Sequence, residues 1–373
     1  MSVPKFNPDE MKVARELPSF VPGSPGTKIY STPVSLVEGY VAAMRREPIW
    51  YVSGMGIEVS IFNPRINRDN LARAFCFDGE GVIMNDQAGV PVGGPDIFGI
   101  EWVFIPAAGG SMVKPGKPLL TDVNDWKSKV QFPDLDSWDW AASEEKNAAY
   151  VKSIKDGGTA LQGMILNGYF ERLISFMDFE GAALAMVDED QQDAVKELMM
   201  ALADLYIKMI DRYYKHYGVI HYLIHDDWGS QMAPFFSPAV GRELIVPAMR
   251  KVNDHIHQVL GGSSEFHCCG HVDQCIPNMI EAGWDSWSGM AMNDSQGDWE
   301  KYGDKICIGV IPDQYDPATA SEEQQRAEAR KFVDTYCKPG RSAVINAMYA
   351  GPIITPAFRE ELYRYSRIKL GGE

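Results

Sequence analysis

The sequence predicts a (β/α)8 barrel, and three observations lead to it. Eight short apolar runs, at about residues 49–53, 81–84, 163–167, 219–225, 263–269, 284–288, 306–310 and 343–347, have strand character, and helix-forming sequence follows each. With 373 residues, 45% of them hydrophobic and 11% aromatic, the chain is long enough to bury such a barrel as one domain, 1–373. Polar residues cluster at the carboxyl ends of the runs, where a barrel of this kind carries its active site: Asp86, Asn167, His225, Asp226, Asp227, His267, Cys269 and Asn346.

Taken in order, residues 1–34 are polar, proline-rich and aperiodic, the composition of an arm lying on the surface or on a partner subunit. Val37, Tyr40, Val41 and Met44 have helical spacing, and the first strand run closes at Gly54-Met55-Gly56. A helix at about 66–78 leads to the run at 81–84. Residues 86–136 then break the alternation. Their glycines and prolines forbid a long helix, while Phe98, Trp102, Val103 and Phe104 need cover. A long loop or small hairpin after the second strand, either closing over the site or contacting another subunit, fits this stretch. The acidic, tryptophan-bearing run 134–140 reads as an exposed connector.

From residue 160 the alternation is regular. After Asp188, Val195, Leu198, Met199, Leu202, Leu205, Tyr206 and Met209 form one helical stripe, stopped at Gly218. The next strand ends in His225-Asp226-Asp227, and Ser237-Pro238 opens a helix stopped at Gly261-Gly262. A helix over 272–282 follows the fifth run. Ser321-x-x-Gln324 is a capping box for a helix to about Cys337, and a last helix starts near Pro356.

Composition excludes several functions. A formal charge of −16 without any block of lysines or arginines leaves no nucleic-acid footprint, and it disfavours a strongly anionic substrate unless one is matched locally. Six cysteines, with no basic segment and apolar core at the start, point to a reducing cytoplasm. No apolar run approaches the roughly 20 residues a membrane span needs.

The chemistry concentrates in Glu265-Phe266-His267-Cys268-Cys269-Gly270-His271. Imidazole and thiolate are the side chains that borderline-soft Zn(II) prefers, and a strand ending in a turn can present both to one ion. The competing reading makes both cysteines small buried hydrophobes and His267 a satisfied core histidine.

These motifs carry a family resemblance. His-x-Cys-Gly at the fifth strand's end, Asp226-Asp227-Trp228-Gly229 followed by Gln231 and Ser237-Pro238, Glu281-Ala282-Gly283-Trp284-Asp285 and Asp86 together resemble the uroporphyrinogen decarboxylase superfamily. The segments Asp96-Ile97-Phe98-Gly99-Ile100-Glu101-Trp102, Gly109-Gly110-Ser111 and Pro115-Gly116 resemble, within it, the methyltransferase components of anaerobic aryl-ether O-demethylases. The resemblance implies a uroporphyrinogen decarboxylase-like barrel. It also implies a zinc enzyme that takes a methyl group from a small aromatic methoxy compound. The methyl acceptor would be cobalt(I) of a separate corrinoid protein, cob(I)alamin becoming methylcobalamin.

Two departures matter. The decarboxylase reads a polycarboxylate with arginines in a stretch that here is Tyr51-Val52-Ser53-Gly54-Met55-Gly56, without any, so decarboxylation is disfavoured. Methyltransferases acting on coenzyme M complete their zinc shell with a second cysteine after the eighth strand, where this chain has Asn346-Ala347-Met348-Tyr349. A methylcobalamin:thiol methyltransferase is thereby placed in doubt, and the third ligand stays open. Under the resemblance, His267 and Cys269 hold the metal, while Asp226, Asp227 or His225 complete its shell or supply a proton. Asp86, Phe98, Trp102, Asn167, Tyr169, Phe170 and Asn346 would contact the substrate. A non-catalytic zinc or corrinoid carrier is the rival, yet no Asp-x-His-x-x-Gly occurs to ligate a corrinoid. A homo-oligomer is compatible with the sequence.

Overall fold

The computed structural model describes residues 3–17, 26–52, 57–84, 92–108 and 110–371. The chain clusters into two compact units, Ile61–Ser153 with Leu161–Trp284, and Met1–Ser60 with Ile154–Ala160 and Asp285–Glu373.

The first unit is mixed α/β around parallel strands in the order β1 (Val59–Phe62, whose second half belongs here), β2 (Ala160–Ile165), β3 (His221–Asp227) and β4 (Ser263–Cys269). β2 is buried along its whole length, as expected of a strand covered on both faces. β3 and β4 pair in register over seven residues, which sets His225 opposite His267 and Asp227 opposite Cys269. The helix Tyr169–Ala185 follows β2, and Gln192–Tyr217 buries the predicted stripe before Gly218 ends it. Ser237 caps the next helix, its hydroxyl accepting from Val240 N at 3.3 Å.

The same unit corrects the early part of the sequence reading. Residues 81–84 are not a parallel strand; Gly81–Met84 is the return arm of an antiparallel hairpin with Phe75–Asp78. The predicted helix at 66–78 shrinks to Arg68–Ala72. Within 86–136 the described residues form a small antiparallel sheet, Gly94–Pro95, Glu101–Ile105 and Gly110–Val113, and short helical turns. Trp140, predicted in an exposed connector, is buried, and its indole N–H donates to Leu135 O at 2.7 Å.

The second unit has parallel strands β5 (Ser286–Gly289), β6 (Cys307–Val310) and β7 (Ala343–Ile345), paired in that order. Parallel strands therefore number seven among the described residues, and the predicted first strand is not among them. Residues 49–52 form a bend and unassigned backbone without ladder pairing, although Val52 O accepts from Ile345 N at 3.4 Å. The capping box at Ser321 forms as predicted and opens the helix Glu322–Tyr336, which packs on Pro356–Gly371. The amino-terminal arm is more structured than its composition suggests. Val13–Leu17 pairs with Thr27–Tyr30, and Glu10 is buried in a two-pronged ion pair with Arg367 (2.9 and 3.1 Å). No helix among the described residues is long and apolar enough to cross a membrane.

Candidate metal centre at the ends of two parallel strands

Alternation along β4 sorts its residues. Phe266 and Cys268 turn into the core and are fully buried, while His267 and Cys269 lie on the other face, partly exposed. Cys268 accepts from Trp228 N at 3.3 Å, and burial pushes its thiol well above the usual range, so it is a core residue. Cys269 ends the strand because Gly270 adopts φ 93° and passes so close to the Gly229 backbone that a Cβ would collide with it.

The register of β3 brings His225 into this group. Cys269 Sγ lies 3.6 Å from His225 Nε2 and 3.8 Å from His267 Nε2, and the two imidazoles stack with centroids 5.4 Å apart. All three donor atoms fall within 4.8 Å of one another. Asp227 Oδ1 is 3.1 Å from His225 Nε2, a contact that leaves the oxygen without a well-directed hydrogen bond.

The other ring nitrogen of His225 is fixed from behind. Nδ1 lies 3.0 Å from Leu166 O, so that in the neutral ring the proton sits on Nδ1 and the Nε2 lone pair faces Cys269, while Glu171 Oε2 stands 2.9 Å from Nδ1 without a well-directed hydrogen bond. Burial favours the neutral ring, but Asp227 and Cys269 outweigh it and hold His225 up at about 10. Asp227 responds in the opposite sense: burial raises it, His225 and Arg73 outweigh the burial, and it falls below its ordinary value. Burial dominates for Cys269 and raises its thiol. A cluster of carboxylates and a thiol thus calls for positive charge at its centre, which either an imidazolium or a divalent cation supplies. Two imidazole nitrogens, one sulfur and an oxygen lacking a hydrogen bond make a donor set suited to zinc.

Asp226 builds the wall beside this group. Its Oδ2 accepts from Tyr169 N (3.0 Å), Phe170 N (3.0 Å) and Trp228 Nε1 (2.8 Å), and Oδ1 accepts from Glu171 N (2.8 Å). A carboxylate from β3 therefore caps the helix Tyr169–Ala185, whose own preceding residue, Gly168, has no side chain to do so. Gly168 has to be glycine, since a Cβ would lie 2.6 Å from Asp226 Cβ. Burial pushes Asp226 up to about 6, against the four N–H donors that favour its ionised form.

Other predicted residues lie elsewhere. Tyr169 is fully buried, its hydroxyl donating to Ala248 O at 3.1 Å, and Phe170 packs on Phe236. Trp102 is buried with its indole N–H on Asp96 Oδ2 (3.0 Å), and Phe98 sits edge-on between Phe132 and Phe176. These aromatics are packing residues in this conformation. Asn346 is in the other unit, donating to Gly289 O at 2.7 Å. Asp86 lies outside the described residues.

Sequence reasoning missed Glu171 and Arg73. Arg73 Nη1 pairs with Glu171 and donates to Asn167 Oδ1 at 3.2 Å, and its guanidinium lies 5.0 Å from the Trp102 ring centre. Asn167 is buried, and its Nδ2 has no hydrogen-bond partner among the described residues.

No protein-family model matches the chain, and no curated protein matches its sequence. Solved structures do match. A methyltransferase from Methanosarcina mazei aligns over 89% of this chain and 98% of its own, with a TM-score of 0.52 at 14% identity, a likeness of fold alone. Xylanase B from Clostridium stercorarium F9 aligns over 61% and 84% (TM-score 0.35, 13% identity). A xylose isomerase-like TIM barrel protein from Mycobacterium smegmatis, in complex with magnesium, aligns over 62% and 78% (TM-score 0.29, 12% identity).

Proposed function

We propose that this chain is a zinc methyltransferase that cleaves the methyl ether of an aromatic methoxy compound and passes the methyl group to cobalt(I) of a separate corrinoid protein. The observation that carries this reading is the convergence of His225 Nε2, His267 Nε2 and Cys269 Sγ. The fold-level likeness to the Methanosarcina methyltransferase supports methyl transfer as the class of reaction. In this reading the parallel strands belong to a (β/α)8 barrel of the uroporphyrinogen decarboxylase type, with the centre at its mouth.

His225, His267 and Cys269 would hold the ion, with Asp227 as the oxygen donor beside them. Zinc bound there supplies Lewis acidity that makes an aryl oxide a better leaving group. Leu166 O orients His225, the Glu171 carboxylate lies against the same ring nitrogen, and Arg73 in turn holds Glu171. Asp226 is a positioning residue: by capping the helix that carries Glu171 it fixes that carboxylate against β3.

The test follows conversion of cobalt(I) to methylcobalt(III) by its spectrum, with a corrinoid protein and a panel of methoxyarenes, methylamine, methanol and methylthiol. Turnover with methoxyarenes, lost on metal removal and restored by zinc, is expected. Decarboxylation of uroporphyrinogen by the chain alone, or full methyl transfer by metal-free protein, would overturn the reading.

A further inference from the structure

A groove of about 420 Å³ opens between residues 95–99, the start of the short helix Arg68–Ala72 and the connector 134–140, and it shares no residue with the candidate centre. Its volume is that of a small-molecule site. The walls are set before any ligand arrives. The buried Arg172 guanidinium holds Asp69 at 2.5 Å and Asp96 at 2.6 Å, which ties the helix start to the turn. Asp96 also accepts from Phe98 N (2.8 Å), Ile100 N (2.9 Å) and Trp102 Nε1 (3.0 Å), so both oxygens of this lining carboxylate are engaged. The connector supplies a platform. Trp140 stacks on His216 (centroids 5.5 Å apart, planes at 13°), and Trp138 stacks on Trp140 (5.5 Å, 22°). Trp138, partly exposed, is the ring of this stack that lines the groove, and no other ring among the described residues packs on it. Ile66, Ile97 and Pro95 add apolar wall.

Two opposite charges line the same groove. Arg68 is exposed and makes no ion pair or hydrogen bond among the described residues. Asp139 engages Oδ1 with Ala142 N (3.0 Å) at the start of the helix Trp140–Asp156, and its Oδ2 takes no hydrogen bond among those residues. A simple anion is poorly matched, since Asp139 and a net charge of −16 oppose it, and a simple cation meets Arg68. A zwitterion with a flat ring satisfies all three groups: its carboxylate meets the guanidinium, its ammonium meets Asp139 and its ring lies on Trp138.

We propose that this groove binds a free aromatic amino acid through Arg68, Trp138 and Asp139, at a site that the function proposed above does not require.

Titration calorimetry on the full chain tests this with L-phenylalanine and three analogues that each lack one feature. 3-Phenylpropanoate has no ammonium, 2-phenylethylamine no carboxylate and L-leucine no ring. L-Phenylalanine is expected to bind saturably, with a Kd of about 1 mM or tighter, and each analogue about fivefold more weakly or worse. Arg68→Gln should erase the advantage over 2-phenylethylamine. Asp139→Asn, whose side chain can still cap the helix, should erase the advantage over 3-phenylpropanoate. Both side chains are exposed, so the fold should tolerate either change. Because amino acids also chelate zinc, the two variants separate binding in this groove from chelation at a metal. No saturable binding of L-phenylalanine, an analogue that binds as tightly, or an advantage that survives in its variant would overturn the proposal.

Discussion

Replacing His225 by alanine takes away one of three donor atoms that lie within 4.8 Å of one another, and the cost in zinc affinity follows from that arrangement. Four-donor zinc sites hold the ion by about 10–16 kcal/mol at neutral pH, roughly 3 kcal/mol per donor, so zinc should bind about a hundredfold more weakly to His225→Ala. Glu171→Gln alters the group behind the ring, 2.9 Å from Nδ1, together with the ion pair to Arg73, and leaves the Leu166 carbonyl in place. Its loss should be nearer tenfold. Competition with a chromogenic chelator gives both constants, and elemental analysis gives the stoichiometry. Wild-type affinity in His225→Ala would remove His225 from the centre and refute the argument from strand register. A Glu171→Gln defect as large as that of His225→Ala would make Glu171 a donor in its own right.

Three further outcomes are expected. Asp226→Ala strands four buried N–H donors and should lower the urea-unfolding free energy by about 3 kcal/mol or more, a loss that a surface carboxylate would not produce. Trp102→Ala should cost about 3–5 kcal/mol, because the ring is core here and not a mobile cover; unchanged stability with altered donor choice would favour the lid instead. Burial raises the Glu10 carboxyl, but its bonds to Arg367 outweigh that and lower it below the ordinary range. The stabilisation it gives is therefore complete above the unfolded carboxyl's pKa of about 4.3 and is lost as pH falls through the lower folded value. Acid should accordingly loosen the amino-terminal arm, followed by hydrogen exchange, and Glu10→Gln should cost about 3–5 kcal/mol at neutral pH while abolishing that acid step.

Residues that declared themselves locally were read correctly. β4 was legible to the residue because its alternation is strict and Gly270 stops it, and the long helix was legible from its stripe and its terminal glycine. The run at 81–84 misled because four apolar residues carry no sign of strand direction. The pair Gly79-Glu80 between two apolar runs was the hairpin signal that went unused. Of the candidate site, His267 and Cys269 were visible as a motif, whereas the convergence of His225 on them depends on register, which no local pattern contains. Arg73 was beyond reach for the same reason, since its partners Asn167 and Glu171 stand 94 and 98 residues away. Glu171 did leave a trace. It and Arg172 are the only charges in the first turns of an otherwise apolar helix start, Tyr169-Phe170-Glu171-Arg172-Leu173-Ile174, and charged residues embedded there call for buried partners.

X-ray absorption at the zinc edge, on the purified full-length protein, tests the central claim most directly. With close to one zinc per chain, the account predicts a first shell of one sulfur at about 2.3 Å and two imidazole nitrogens at about 2.0–2.1 Å, with the sulfur lost in Cys269→Ser and one imidazole lost in His225→Ala. A sulfur-free shell, or protein that takes up no zinc, would contradict it.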